Sequence, residues 1–138
     1  MVVDGEGVPL GSLLASASPA EVTLIEAALK TVAVPRRRGA PRQKPDRLIY
    51  DKAADSDPLR ARLRKRGIEL ITPHRSNRRR PPTQDGRRLR RYARRWKVER
   101  TIAWLGNYRR LLVRHENHLS MFHAFVNLAC LMVTLGKL

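Results

Sequence analysis

Apolar and polar positions fall into blocks along this chain, and the blocks predict alternating strands and helices. The stretch VVDGEGVPLGSLLAS at 2–16 is two apolar runs around a Gly-rich acidic turn, which predicts a hairpin with strands at about 1–4 and 8–15. SPAE at 18–21 reads as a helix start, with Ser18 as cap, Pro19 in the first turn and Glu21 closing a capping box. Leu24, Ile25, Ala28 and Leu29 then share one face, giving a helix over about 19–32. RLIYD at 47–51 is a short strand ending in an acid. Ser56 or Asp57 caps the next helix, Pro58 sits in its first turn and Gly67 ends it. IELIT at 68–72 is a second strand, stopped by Pro73. Strand, helix and strand at this spacing form a βαβ unit with parallel strands.

The polar blocks divide the chain. Residues 1–34 form the hairpin plus helix, and 35–46 are a Pro- and Arg-rich connector without periodicity. Residues 47–72 are the βαβ unit. Residues 73–86 are a basic loop with no apolar anchor, expected to be mobile. Residues 87–138 are helical, with a break at Gly106 and Asn107. Asn117 is the expected cap of a last helix over 118–135, apolar nearly all round. That run holds His118, Ser120, His123, Asn127 and Thr134, so it reads as a buried or partner-packed helix rather than a membrane span. No internal repeat is visible. The fold class is α/β.

Composition changes the picture through the placement of charge. The formal net charge is +17. Residues 60–114 hold 20 Lys and Arg against Glu69, Asp85 and Glu99, a balance of +17, while the remainder holds 9 of each sign. A basic field concentrated in one segment attracts polyanions and releases their counterions, so nucleic acid is the leading partner class. Apolar residues at 42% argue against global disorder. Cys130 is the only cysteine, which excludes an internal disulfide and fits a reducing cytosol. In its apolar run it reads as buried packing. The N-terminus lacks the basic and apolar regions of a secretory signal.

Candidate chemistry lies in YARRWKVER at 92–100. On a helix at about 100° per residue, Tyr92, Arg95 and Glu99 fall at about 0°, 300° and 340°. Trp96, Ala103 and Arg110 share that face at about 40°, 20° and 0°. Asp51 sits where open α/β sheets place ligands, beyond the carboxyl end of a strand. On the residues alone two readings stand for Glu99: a structural ion pair, the commoner case, or a hard oxygen ligand that shares Mg²⁺ with Asp51. Asp4 and Glu6 read as turn chemistry in preference to a metal pair. His115, His118 and His123 lack zinc-site spacing. Trp104 and Tyr108 are base-stacking candidates or core. There is no phosphate-binding Gly-rich loop, and Ser120 with His123 is weak evidence for a nucleophile and base.

Three stretches match one family together: VVDGEGVPL at 2–10, IYDKAADSDPLRARLRKRGIELITP at 49–73 and RRYARRWKVERTIAWLGNYRRLLVRHE at 90–116. With these the chain resembles the C-terminal part of bacterial insertion-sequence transposases of the DDE type, in the group numbered five, related to group four. The resemblance implies an RNase H-like fold whose metal site has two Asp and one Glu. Asp51 falls on the second Asp and Glu99 on the Glu. Tyr92 and Arg95 fall on the signature around that Glu, followed by Trp104, Arg109 and Arg110. It further implies DNA cleavage and strand transfer dependent on Mg²⁺ or Mn²⁺, carried out in an assembled oligomer on insertion-sequence ends and target DNA, in the bacterial cytoplasm at the nucleoid and with no membrane.

The sequence departs from the family at three points. The first catalytic Asp precedes the segment that matches 2–10, and Asp4 matches the turn instead. Ala54 stands where the family usually has Tyr. Gly106 stands where a Lys often follows, with Arg109 or Arg110 as its candidate replacement. The expectation is therefore an incomplete RNase H-like fold lacking the first central strand, with long C-terminal helices, inactive alone, and either marginal, aggregation-prone or completed by an upstream polypeptide. A gene remnant, a mis-assigned start and the second product of a split frame are equal explanations. The alternative is a non-catalytic DNA-binding protein or transposition regulator.

Overall fold

The computed structural model describes residues 1–16, 18–84 and 86–136. Ala17, Asp85 of the basic loop, and Lys137 and Leu138 of the helical part lie outside the described residues. The class is α/β, with short strands in two separate two-stranded sheets.

Strands β1 (Val2–Val3) and β2 (Pro9–Gly11) form the antiparallel hairpin. The Asp4 carboxylate accepts from the Glu6 and Val8 N–H groups at 2.7 and 2.9 Å, and Gly7 takes φ +83°. Asp4 is thus committed to the turn, which supports that reading over a metal pair. β2 is shorter than the expected 8–15. Beyond Gly11 the chain turns to its neighbours: a Cβ at Gly11 would overlap the Thr31 hydroxyl, and Ser12 Oγ bonds His123 Nε2 and Asn127 Oδ1 at 2.7 and 2.8 Å.

Helix α1 (Glu21–Lys30) starts two residues later than expected. Ala20 is extended, at ψ 133°, and is the N-cap without a side-chain bond. Glu21 does not close a capping box; its carboxylate meets the Tyr50 hydroxyl at 3.4 Å. The connector also differs from expectation. Val34 and Arg42 form an antiparallel bridge with bonds of 2.9 and 2.8 Å, so the segment folds back on itself.

Strand β3 (Arg47–Ile49), helix α2 (Asp57–Lys65) and strand β4 (Glu69–Ile71) make the predicted parallel unit, with Arg47, Leu48 and Ile49 opposite Glu69, Leu70 and Ile71. Ser56 caps α2, accepting from the Leu59 N–H. Asp57 lies in the first turn and Arg62, Arg64 and Lys65 in the last, each end complementing the helix dipole. Gly67, at φ +73°, reverses the chain into β4. The core gathers Ile25, Leu29, Ala54, Leu59, Leu63, Ile68 and Leu70, closed by Val22, Leu48 and Tyr50.

The basic loop is not the unanchored segment expected. Carboxylates hold it where apolar contacts do not. Asp55, buried at the end of a 3₁₀ turn (Lys52–Ala54), receives His74 Nδ1 and the Arg75 N–H, each at 2.8 Å, and Arg60 at 3.0 Å. Asp57 receives Arg78 at 2.9 Å and Arg80 at 3.3 Å.

The segment expected to be helical from 87, with a break at Gly106 and Asn107, is wound in more pieces than that. Helix α3 (Gly86–Leu89) passes into a 3₁₀ helix (Arg90–Arg95), then α4 (Trp96–Leu105). The chain breaks at Gly106 and Asn107 as expected, and α5 (Arg109–Leu112) follows. Helix α6 (Leu119–Leu135) is capped by His118, without a side-chain bond, and not by Asn117. The Asn117 carbonyl instead accepts from Arg114 at 3.2 Å. α6 packs on β2, α4 and α5 and buries Val126 and Ala129, and its remaining apolar residues include the exposed Leu128, Leu131 and Met132. Cys130 is half-buried, not fully buried. Among the described residues no helix is long and apolar enough to cross a membrane.

Candidate functional site

Asp51 is held at the carboxyl end of β3 from three directions. The ladder continues through the Tyr50 N–H to the Ile71 carbonyl at 3.0 Å. The fully buried Thr72 donates its hydroxyl to the Asp51 carbonyl. The Asp51 carboxylate uses Oδ1 to accept from the Ala53 N–H at 2.8 Å, capping the 3₁₀ turn that follows. Beside it, burial above all raises the Tyr50 hydroxyl to a pKa of about 12, with the Glu21 and Asp51 charges adding to the effect.

Tyr92, Arg95 and Glu99 form a second cluster. In a 3₁₀ helix residues three apart eclipse, so Arg95 stacks under Tyr92, its guanidinium carbon 5.7 Å from the ring centre. The winding then changes to α, and Arg95 Nη1 meets Glu99 Oε1 at 2.6 Å. Bonding to Glu99 raises the Arg95 pKa above its ordinary value. The 3₁₀ segment packs against β3, so the element bearing Tyr92 and Arg95 lies alongside the strand that leads to Asp51. Among the described residues no three His, Cys, Asp or Glu side chains gather as a metal cluster.

The remaining sequence-selected residues do not join that face. Trp96 and Trp104 flank Arg100, whose guanidinium carbon is 4.6 and 4.8 Å from the two ring centres. Arg110, predicted on the Tyr92 face, lies past the break. There it bonds Glu116 at 3.2 Å and covers the Phe125 ring at 5.5 Å. Arg109 is exposed on α5. Ser120 and His123 do not pair, since His123 bonds Ser12.

Sequence reasoning missed two arrangements. One is the Asp55 centre, whose carboxylate burial would raise and whose bonds from Arg75, His74 and Arg60 lower, to a net pKa of about 2. The Asp-x-Asp pair at 55 and 57 facing an Arg-rich loop was the available signal. The other is the docking of α4 on the hairpin. Lys97, Arg100 and Thr101 donate to the carbonyls of Gly5, Glu6 and Gly7 in turn, the last two at 3.0 and 2.7 Å. Backbone acceptors leave no trace in residue identity, so this contact had no signal. Lys97 and Arg100 therefore face the hairpin.

Comparison with known proteins agrees with the motif. The family model described as the transposase DDE domain matches residues 1–134. Over 134 residues the chain is 37% identical to a Burkholderia cepacia protein described as "Putative transposase for insertion sequence element IS402", covering 96% of this chain and 60% of that relative. The chain thus spans less than two thirds of that relative's length. No solved structure matches. The family match over residues 1–134 and the 37% identity across 96% of this chain show that it belongs to the DDE-domain transposase family.

Proposed function

We propose that this chain carries part of the DNA-processing centre of an insertion-sequence transposase, with Asp51 and Glu99 as ligands of one divalent-ion site. One observation carries the reading: the 3₁₀ segment bearing Tyr92 and Arg95, the partner of Glu99, packs on β3, the strand that runs on to Asp51. The donors fit a hard cation, because Mg²⁺ takes one or two carboxylates and completes its shell with water and phosphate oxygens. When bound, Mg²⁺ or Mn²⁺ supplies charge stabilisation for phosphodiester displacement on the element ends and target DNA.

The chain's own residues orient the ligands. Thr72 and the Ala53 N–H fix Asp51. Arg95, steadied by the Tyr92 ring, fixes Glu99. The parallel βαβ unit and the separate hairpin support a finer reading of the fold, an incomplete RNase H-like sheet whose two halves flank one further strand supplied by other polypeptide. DNA as substrate puts the protein at the bacterial nucleoid, as an oligomer when assembled on element ends.

Cleavage and strand transfer on element-end DNA test the proposal, with the chain alone and joined to the remaining part of a relative. Asp51→Asn and Glu99→Gln each abolish chemistry and keep DNA binding. Equal cutting by either variant contradicts the site. A second reading, a non-catalytic DNA-binding regulator, is favoured by the Arg95–Glu99 pair at 2.6 Å, which gives the carboxylate a structural partner. It predicts DNA binding without cleavage in both formats.

A further inference from the structure

The 3₁₀ segment from Arg90 to Arg95 runs six residues, longer than the usual three or four. Its threefold winding sorts the residues into ridges. Tyr92 and Arg95 form one ridge, turned to Glu99. Arg91 and Arg94 form another, and both are exposed.

This second ridge sets two side chains, without a partner among the described residues, three residues apart beside the Tyr92 and Arg95 ridge. Most cations of the basic segment are spent inside the molecule. Arg62 and Arg66 pair with Glu26 at 2.8 and 4.0 Å. The Arg75 guanidinium donates to the Lys52 and Ala53 carbonyls at 3.2 and 3.0 Å, and Arg78 pairs with Asp57 at 2.9 Å. Lys97 and Arg100 bind hairpin carbonyls. The Arg91 and Arg94 side chains have no hydrogen bond, ion pair or ring contact among the described residues. Residues three apart on a 3₁₀ helix are separated by about 6 Å along its axis. Phosphates of one DNA strand repeat every ~3.4 Å of duplex axis. The strand winds obliquely, so neighbouring phosphates lie farther apart than that axial step.

We propose that Arg91 and Arg94 are a two-arginine ridge that binds successive phosphates of one DNA strand and holds that strand against the Tyr92–Arg95–Glu99 cluster. The proposal rests on the reading of this chain as a DNA-processing protein and deepens it by naming a phosphate-contact surface. The contact is sequence-independent, because it reads phosphates and leaves the bases untouched.

The salt dependence of binding to a 30-bp duplex of arbitrary sequence tests it, since each neutralised phosphate contributes a slope of about 0.9 in log K against log salt. Arg91→Gln with Arg94→Gln is compared with Arg62→Gln with Arg66→Gln, which removes the same formal charge from cations already paired with Glu26. The account expects the first pair to reduce the slope by about 1.8, with an unchanged melting temperature, and the second to change it by less than half as much. Arg91→Lys with Arg94→Lys keeps the slope. Equal effects of the two Gln pairs, or an unchanged slope in the first, overturn the proposal while leaving DNA binding standing. A wild-type chain with no salt-dependent binding overturns the proposal and the broader DNA reading together.

Discussion

Arg95 and Glu99 meet at 2.6 Å across a change of winding: Arg95 closes a 3₁₀ helix and Glu99 lies in the first turn of the α-helix that follows. This joint aims the carboxylate. The pair is partly exposed, so its contribution to stability is small, about 0.2–1 kcal/mol. Arg95→Ala should therefore leave the urea midpoint nearly unchanged while lowering element-end cleavage at least tenfold. Arg95→Lys should rescue only part of it, because a point charge cannot reproduce the planar stacking on Tyr92.

The Asp55 centre gives a pH signature. Its folded pKa of about 2 lies below the ordinary 3.8. A depressed carboxylate contributes stability that is complete above its unfolded pKa and is lost as pH falls through the folded one. Stability should thus decline between about pH 4 and pH 2 through this group. Urea titrations across that range should show the decline flattened in Asp55→Asn, which starts from a lower plateau.

Removing Asp55 outright leaves the largely buried Arg60 and His74 without their carboxylate partner, while Arg78 keeps Asp57. Breaking such a buried pair costs about 3 kcal/mol. Asp55→Ala should unfold at correspondingly lower urea, and limited proteolysis should then cut in the loop at 73–84, which the wild type protects.

The hairpin clamp depends on one buried hydroxyl. Thr101 is fully buried and donates to the Gly7 carbonyl at 2.7 Å. Thr101→Val keeps the shape and strands that acceptor, at a cost of about 1–3 kcal/mol. Gly7→Ala meets both φ +83° and a Thr101 hydroxyl 3.1 Å from the new Cβ. Chemical denaturation should find both variants destabilised, with a non-additive double variant because the sites share one contact.

Much of the βαβ unit was legible because its punctuation is chemical. Ser56, Pro58 and Gly67 each do one thing well, and the strands between them are short apolar runs. The 3₁₀ winding was not legible: Arg90 to Arg95 contains no Gly or Pro, and packing against β3 accompanies its winding. The basic loop was misjudged because anchors were sought among apolar residues, while Asp55 and Asp57 supplied charged ones. At the site, spacing alone left Glu99 between an ion pair and a ligand. The structure shows the pair with Arg95, and the ligand reading rests on the family pattern together with the packing of the 3₁₀ segment on β3.

The central claim is that Asp51 and Glu99 serve one ion. Mn²⁺ titration of the chain, followed by electron paramagnetic resonance of the free ion, tests it through Asp51→Asn, Glu99→Gln and the double variant. The account predicts that each single change weakens binding at least tenfold and that the double variant is scarcely weaker than either, as for residues acting as a unit. Unchanged affinity in either single variant, or losses that simply add, would contradict it.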